Sequence, residues 1–174
     1  MLVYQIKRKE ENEMEKEMLK GKVAIITGAS YGMGQTMAEL FAEEGAAVVL
    51  TARGQEKLDQ VVEGICGKGG KAVGVVADVC STDDTKRVFE TALKEFGDVD
   101  ILINNAGIGE QKMIDETDDD WMMHVMNTNL GGPMRYIREA LKIFIPQNDG
   151  VIINISSVNG TRPFCGATYT STKG

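Results

Sequence analysis

The chain has 174 residues, 43% of them hydrophobic, enough for one domain with a sizeable buried core. A formal net charge of −7 argues against a nucleic-acid or anionic-membrane surface, and three cysteines with one histidine leave no disulfide framework, zinc pattern or Ser-His-Asp triad. No apolar run approaches membrane-spanning length and the N-terminus lacks a signal-peptide core, so the expected setting is a reducing cytoplasm, with Cys66, Cys80 and Cys165 as buried or half-buried free thiols.

Residues 1–20 are dominated by Lys and Glu and read as a charged, solvated extension. Met14, Met18 and Leu19 offer the alternative of a partner-binding helix. The domain is expected over residues 21–174. Val23–Ile26 is a short apolar run, a buried strand that ends at Thr27-Gly28. Gly28, Gly32 and Gly34 follow, with Ser30, Tyr31 and Met33 among them, and Gln35–Glu44 is then apolar at helical spacing. Strand, glycine-rich turn and helix together hold a phosphate: glycines let the backbone approach closely, and the helix N-terminus offers unpaired N–H groups. The same small residues also serve plain helix–strand packing.

Val48–Thr51 is a second buried strand, followed by a helix over Gly54–Gly64. Ala72–Ala77 is a third strand, ending at Asp78-Val79, and Ser81 caps a helix reaching about Phe96. Asp100–Ile103 is the fourth strand, followed at once by Asn104-Asn105-Ala106-Gly107. Thr117 with Asp120 resembles a capping box for one long helix, Asp118–Ile145. Val151–Ile155 is the fifth strand, and after a loop from Ser156 to about Cys165 another helix begins at Gly166. Continuous apolar strands alternating with helices call for a Rossmann-like, doubly wound parallel α/β sheet. Its ligand crevice lies at the carboxyl ends of the strands. Gly28–Gly34, Arg53, Asp78, Asn104–Gly107 and Ser156-Ser157 all fall at such ends, which points to a dinucleotide site.

The ordered motifs TGASYGMG (Thr27–Gly34), Asp78-Val79, NNAG (Asn104–Gly107), Asn129–Gly132, Ile155-Ser156-Ser157 and YTSTK (Tyr169–Lys173) resemble those of the short-chain dehydrogenase/reductases. The resemblance covers Lys22–Gly174. It implies an oxidoreductase that moves a hydride between a nicotinamide cofactor and a carbonyl or secondary-alcohol substrate. By it, Gly28, Gly32 and Gly34 cradle the pyrophosphate, and Asp78 meets the adenine with Val79 beside it. Asn104 and Ala106 line the adenosine and ribose side, while Asn105 and Gly107 steady the central strand. An Asn-rich turn also has plain structural uses.

An NAD site usually carries an acid at the end of the second strand, whereas this chain has Leu50-Thr51-Ala52-Arg53. Arginine pairs its planar fork with phosphate oxygens, which favours NADP(H) and leaves NAD(H) possible. Ser30 adds a hydroxyl to the glycine loop, and Tyr31 stands where NADP-preferring relatives often carry a base. The alternative role for Arg53 is an exposed cap of the next helix.

Tyr169 and Lys173 lie four apart on a helix and so share a face. An ammonium beside a phenol favours the phenolate. The resemblance makes Tyr169 the proton donor and acceptor, Lys173 the holder of the nicotinamide ribose, and Ser157 the partner of the developing oxyanion. Asn129 is an odd residue for a helix interior, and in the resemblance it holds a water that relays protons to Lys173. Two departures stand out. Ser157 and Tyr169 are one residue closer in sequence than is common, so Ser156 is an alternative. The relatives also continue about 70 residues further, to about 250. Loss of the usual C-terminal strands and helices sets up a second hypothesis, a catalytically incomplete cofactor-binding fragment. Arg162 is either a solvated loop residue or an attractor of anionic substrate. Pairing of the relatives through the long helix makes Trp121, Met122, Met123, Met126 and Tyr136 candidate contacts with a second copy.

Overall fold

The computed structural model describes residues 17–109, 113–162 and 166–174. The apolar runs form five strands: β1 (Val23–Thr27), β2 (Ala47–Ala52), β3 (Lys71–Val76), β4 (Ile101–Asn104) and β5 (Val151–Asn154). All pair in parallel, in the order β3-β2-β1-β4-β5. Between and beyond them run α1 (Gly32–Glu43), α2 (Gln55–Gly67), α3 (Thr82–Phe96), α4 (Asp119–Met126), α5 (Gly132–Gln147) and the short α6 (Ala167–Ser171).

Alternation along each strand sends successive side chains to opposite faces. Ile25, Val49, Val75 and Leu102 meet Val88, Phe89 and Ala92 of α3 and Tyr136, Ala140 and Phe144 of α5. Ala24, Ile26, Val48 and Leu50 meet Ala38 and Ala42 of α1 and Leu58, Val61 and Ile65 of α2. A fully buried aliphatic side chain of this kind contributes about 1.5–3 kcal/mol. The chain therefore winds both ways from the centre of the sheet, and the gap between the carboxyl ends of β1 and β4 is the switch point where such folds bind ligands.

The expected long helix over Asp118–Ile145 is three pieces: α4, a π-helical turn (Asn127–Gly131) and α5. Two residues account for the break. Pro133 has no N–H to return to the carbonyl of Asn129, and Gly132 packs so near the β3–α3 loop that a Cβ there would sit 3.0 Å from Val79. The cap is also one residue later than expected. The Asp118 carboxylate accepts from Trp121 N at 2.7 Å, while the Thr117 hydroxyl donates to the Met113 carbonyl. Ser81 caps α3 as expected, accepting from Asp84 N at 3.1 Å.

Tyr136, expected as a contact with a second copy, is fully buried and belongs to the core. Met123 and Met126 are exposed, as are Met134, Leu141 and Ile145 of α5. Cys66 is exposed, contrary to the expected buried thiol, because it lies on the outer side of α2; Cys80 is half-buried, and Cys165 lies outside the described residues. Of the expected extension, residues 1–16 lie outside the described residues, and Leu19 donates its N–H to the Glu44 carbonyl at 2.9 Å. No described helix is long and apolar enough to cross a membrane.

Candidate functional site

The two central strands are pinned together where the cleft opens. Thr27 Oγ1 accepts from Asn105 N and Ala106 N, each at 3.0 Å. In return the Asn105 amide donates to the carbonyls of Thr27 (2.9 Å) and Gly28 (3.1 Å). Asn105 thus steadies the central strand, as expected. In the sequence Thr27 marks only the end of the strand and the start of the glycine motif; its hydroxyl at the end of an otherwise apolar strand was the available signal for this pinning role.

Glycine at position 34 is a matter of space: a Cβ there would fall on the Gly28 carbonyl and within 2.6 Å of the Asn105 amide nitrogen. Gly28 has φ +66, and its Cβ would meet Ala106 Cα at 2.9 Å. The loop therefore leaves backbone N–H groups at the start of α1 facing a cleft of about 260 Å³. Gly28, Ser30, Tyr31, Gly32, Met33, Gly34, Arg53, Asp78, Val79, Asn105, Ala106 and Gly107 all line it. Thr51, Ala52, Ala77, Ile108 and Thr128 line it too; Ala52, Ala77 and Ile108 carry neither a polar group nor a glycine that would have marked them. A dinucleotide's pyrophosphate fits this cradle, since side chains are absent where the ligand must approach the backbone.

Asn104 departs from expectation. It is buried, and its amide donates to Asn154 Oδ1 at 2.9 Å, so it joins β4 to β5 instead of lining the cleft. The reason is register: Asn104 and Asn154 are in-register neighbours on parallel strands, and each offers the other a partner. At the outer wall Tyr31 and Arg53 are exposed, and the Lys57 ammonium stands 5.9 Å from the Tyr31 ring centroid. On the inner side Asp78 Oδ1 accepts from Cys80 N at 2.9 Å.

Asn129 and Lys173 reach the cleft at Gly107 and Ile108, which line it, and Tyr169 stands beside Lys173. The Asn129 side chain makes a two-way bond with the Ile108 backbone, accepting from its N–H (2.8 Å) and donating to its carbonyl (2.9 Å). It also donates to Thr172 Oγ1 at 3.1 Å. Asn129 lies in the π-helical turn, and this pairing is what a mid-helix asparagine gains by being there. Lys173 Nζ donates to the Ile155 carbonyl at 2.8 Å, lies 5.8 Å from the Tyr169 ring centroid, and would be 3.6 Å from a Cβ on Gly107. Burial pushes the Lys173 ammonium below its ordinary value of 10.5. Ser156 and Ser157 have separate duties: Ser156 donates to the Lys173 carbonyl, while Ser157 accepts from Asn159 N at 3.2 Å. Arg162 is exposed in the loop before α6.

Comparison with known proteins agrees with this geometry. The chain is 39% identical over 156 residues to an uncharacterized oxidoreductase of Listeria innocua, covering 89% of this chain and 63% of the relative. It is 38% identical to a 3-oxoacyl-[acyl-carrier-protein] reductase of Thermotoga maritima, covering 82% of this chain and 58% of that protein. A 3beta-hydroxysteroid dehydrogenase of Mediterraneibacter gnavus is 36% identical, over 87% of this chain and 55% of its own length. The chain thus spans less than two thirds of these curated relatives. A crystal structure of a short chain dehydrogenase from Mycobacterium smegmatis superposes with a TM-score of 0.87 at 34% identity, covering 90% of this chain and 67% of that one. The short chain dehydrogenase family profile matches residues 22–174, and the chain belongs to that family.

Proposed function

We propose that the cleft binds NADP(H) and that the fold carries hydride chemistry between this cofactor and a carbonyl or secondary-alcohol substrate. The observation that carries the reading is the meeting of Tyr169, Lys173, Asn129 and Gly107 at the end of a glycine-lined cleft. The nicotinamide ring of the bound cofactor supplies or accepts the hydride. Tyr169 gives its proton to the substrate oxygen in reduction and takes it back in oxidation. Lys173 favours the phenolate by its charge and holds the nicotinamide ribose. Ser157 accepts from Asn159 and so keeps its own proton to donate to the reacting oxygen. Ser156 is already committed to the Lys173 carbonyl, which favours Ser157 over it. Asn129 ties Ile108 to Thr172, the residue before Lys173, and holds the relaying water.

Arg53 supports NADP(H) over NAD(H), since a guanidinium at the end of β2 suits a 2′-phosphate and an acid there does not. The names of the Thermotoga and Mediterraneibacter relatives support a substrate with an oxo or hydroxyl group on a secondary carbon. The exposed Met134, Leu141 and Ile145 of α5 support pairing with a second copy, and the setting we assign is cytoplasmic. A second reading, cofactor binding without turnover, is favoured by one observation: the Lys173 ammonium already donates to the Ile155 carbonyl at the end of a five-residue helix.

Thermal unfolding with NADPH or NADH tests the binding. Ligand at a hundredfold excess over its Kd adds about 2.7 kcal/mol, a rise of about 5–10 °C for a domain of this size. The expected result is that rise with NADPH, a much smaller one with NADH, and no preference in Arg53→Ala. An equal or larger shift with NADH overturns the cofactor assignment. Carbonyl-dependent NADPH oxidation that disappears in Tyr169→Phe separates turnover from binding alone.

A further inference from the structure

The first turn of α3 does more than start a helix. Ser81 already caps it, accepting from Asp84 N. The Asp84 carboxylate reaches outside the helix, where Oδ2 accepts from Asp78 N at 2.9 Å. Its other oxygen pairs with Arg87 Nη1 at 2.9 Å, and Arg87 Nη2 donates in turn to the carbonyl of Val76. The end of β3 is thereby clamped from two points, Val76 and Asp78, by two side chains of α3. The Asp84 side chain is only 25% exposed, and a helix start needs neither bond.

What the clamp holds is a wall of the cleft. Asp78 Oδ1 is turned onto Cys80 N, so its second oxygen has no protein donor among the described residues. Around it the cleft is lined by Ala52, Ala77 and Val79, small apolar surfaces suited to a flat ring. An open carboxylate oxygen beside such surfaces accepts from an amino group on the ring and repels a carbonyl at the same place. We propose that Asp84 is a positioning residue for base recognition: it fixes Asp78 so that the cleft selects a 6-aminopurine over a 6-oxopurine dinucleotide. The inference rests on the reading of the cleft as a nicotinamide dinucleotide site.

The test is to titrate the 174-residue chain with NADPH and with its hypoxanthine counterpart, recording the ratio of the two dissociation constants. General loosening of the fold weakens both ligands in parallel and leaves the ratio alone. A charge-assisted hydrogen bond predicts about a tenfold or greater preference for adenine in the unsubstituted chain. Asp84→Ala should bring it below about threefold, and so should Asp84→Ser, which suits a helix start but is too short to reach Asp78 N. Asp84→Asn keeps an acceptor in place and should keep the preference. An unchanged ratio in the Ala and Ser variants overturns the proposal. Asp78→Ala separates the two layers of the argument. If it too leaves the ratio unchanged, the reading of Asp78 as the base wall fails and the proposal with it. If it abolishes the preference while both Asp84 variants retain it, Asp78 reads the base and only the role of Asp84 falls.

Discussion

On one side of the switch point, β1 and β2 run between two layers of helix; on the other, β5 has α5 on one face and solvent on the opposite one. Every residue of β1 and β2 is buried. In β5 only Ile152 joins the core, while Val151 and Ile153 are 50% and 39% exposed. In the proposed function the two sides hold different parts of the chemistry. The well-covered side supplies the glycine loop, Arg53 and Asp78, and the thinly covered side supplies Ser157, Tyr169 and Lys173. The contrast teaches that the cofactor cleft is a property of packed backbone, which tolerates little change. The end proposed to be catalytic depends on side-chain bonds such as Ile108 to Asn129, at the edge of the packed sheet.

The sharpest way to break that contrast is at Gly34. A valine there drives two methyls into the Gly28 carbonyl and the Asn105 amide, which is itself bound to Thr27. Overpacking of this kind costs about 3 kcal/mol, and the cleft closes with it. Urea denaturation should show that loss together with abolished NADPH binding. Full retention of binding would mean that the loop shifts freely and the cradle is not rigid.

Alkaline pH probes the same side from below. The Tyr136 hydroxyl is buried, with Thr51 Oγ1 beside it. Burial raises the Tyr136 phenol to about 12 from 10.0. A raised group contributes stability that is fully present below the unfolded value and is lost as pH rises through the folded one. With one pH unit worth about 1.4 kcal/mol, stability should fall by roughly 2–3 kcal/mol between pH 10 and 12. Lys22, raised by Asp100 and then Asp149, loses stability in the same direction above 10.5. Lys173, lowered by burial, gains as pH rises toward 10.5. Tyr136→Phe isolates the first effect: its stability, measured by urea denaturation across this range, should lose most of the slope. An unaltered slope would assign it to Lys22.

The five strands and the binding loop were legible because they obey local rules: apolar runs, glycines at strand ends, a serine before a helix. Asn104 was misjudged because its partner, Asn154, is 50 positions away and no local pattern announces a register pair. The single long helix was misjudged for a related reason. Pro133 and Gly132 were visible, but the close approach of Val79 that makes glycine necessary belongs to another part of the chain. Exposure of Cys66 and burial of Tyr136 depend on which face of a helix meets the sheet, which is again a tertiary fact. Local signals placed the cleft; long-range pairing decided which residues line it.

The smallest expected effect tests the thin side directly. Ile103 and Ile153 are in-register neighbours on parallel strands and therefore share a face of the sheet. Ile103 is 1% exposed and Ile153 39%. Replacing each by threonine keeps the β-branch that suits a strand and exchanges a methyl-bearing arm for a hydroxyl. At Ile103 the hydroxyl is buried and apolar area is lost, at a cost of about 2–3 kcal/mol. At Ile153 water reaches the same group, and the cost should be about 0.5 kcal/mol or less. Denaturation midpoints of the two variants at one protein concentration give the comparison. A penalty at Ile153 that grows with protein concentration would place a second copy over that face. An equal penalty at both positions, independent of concentration, would mean that the chain itself covers β5 in solution, and the asymmetry between the two sides of the sheet would disappear.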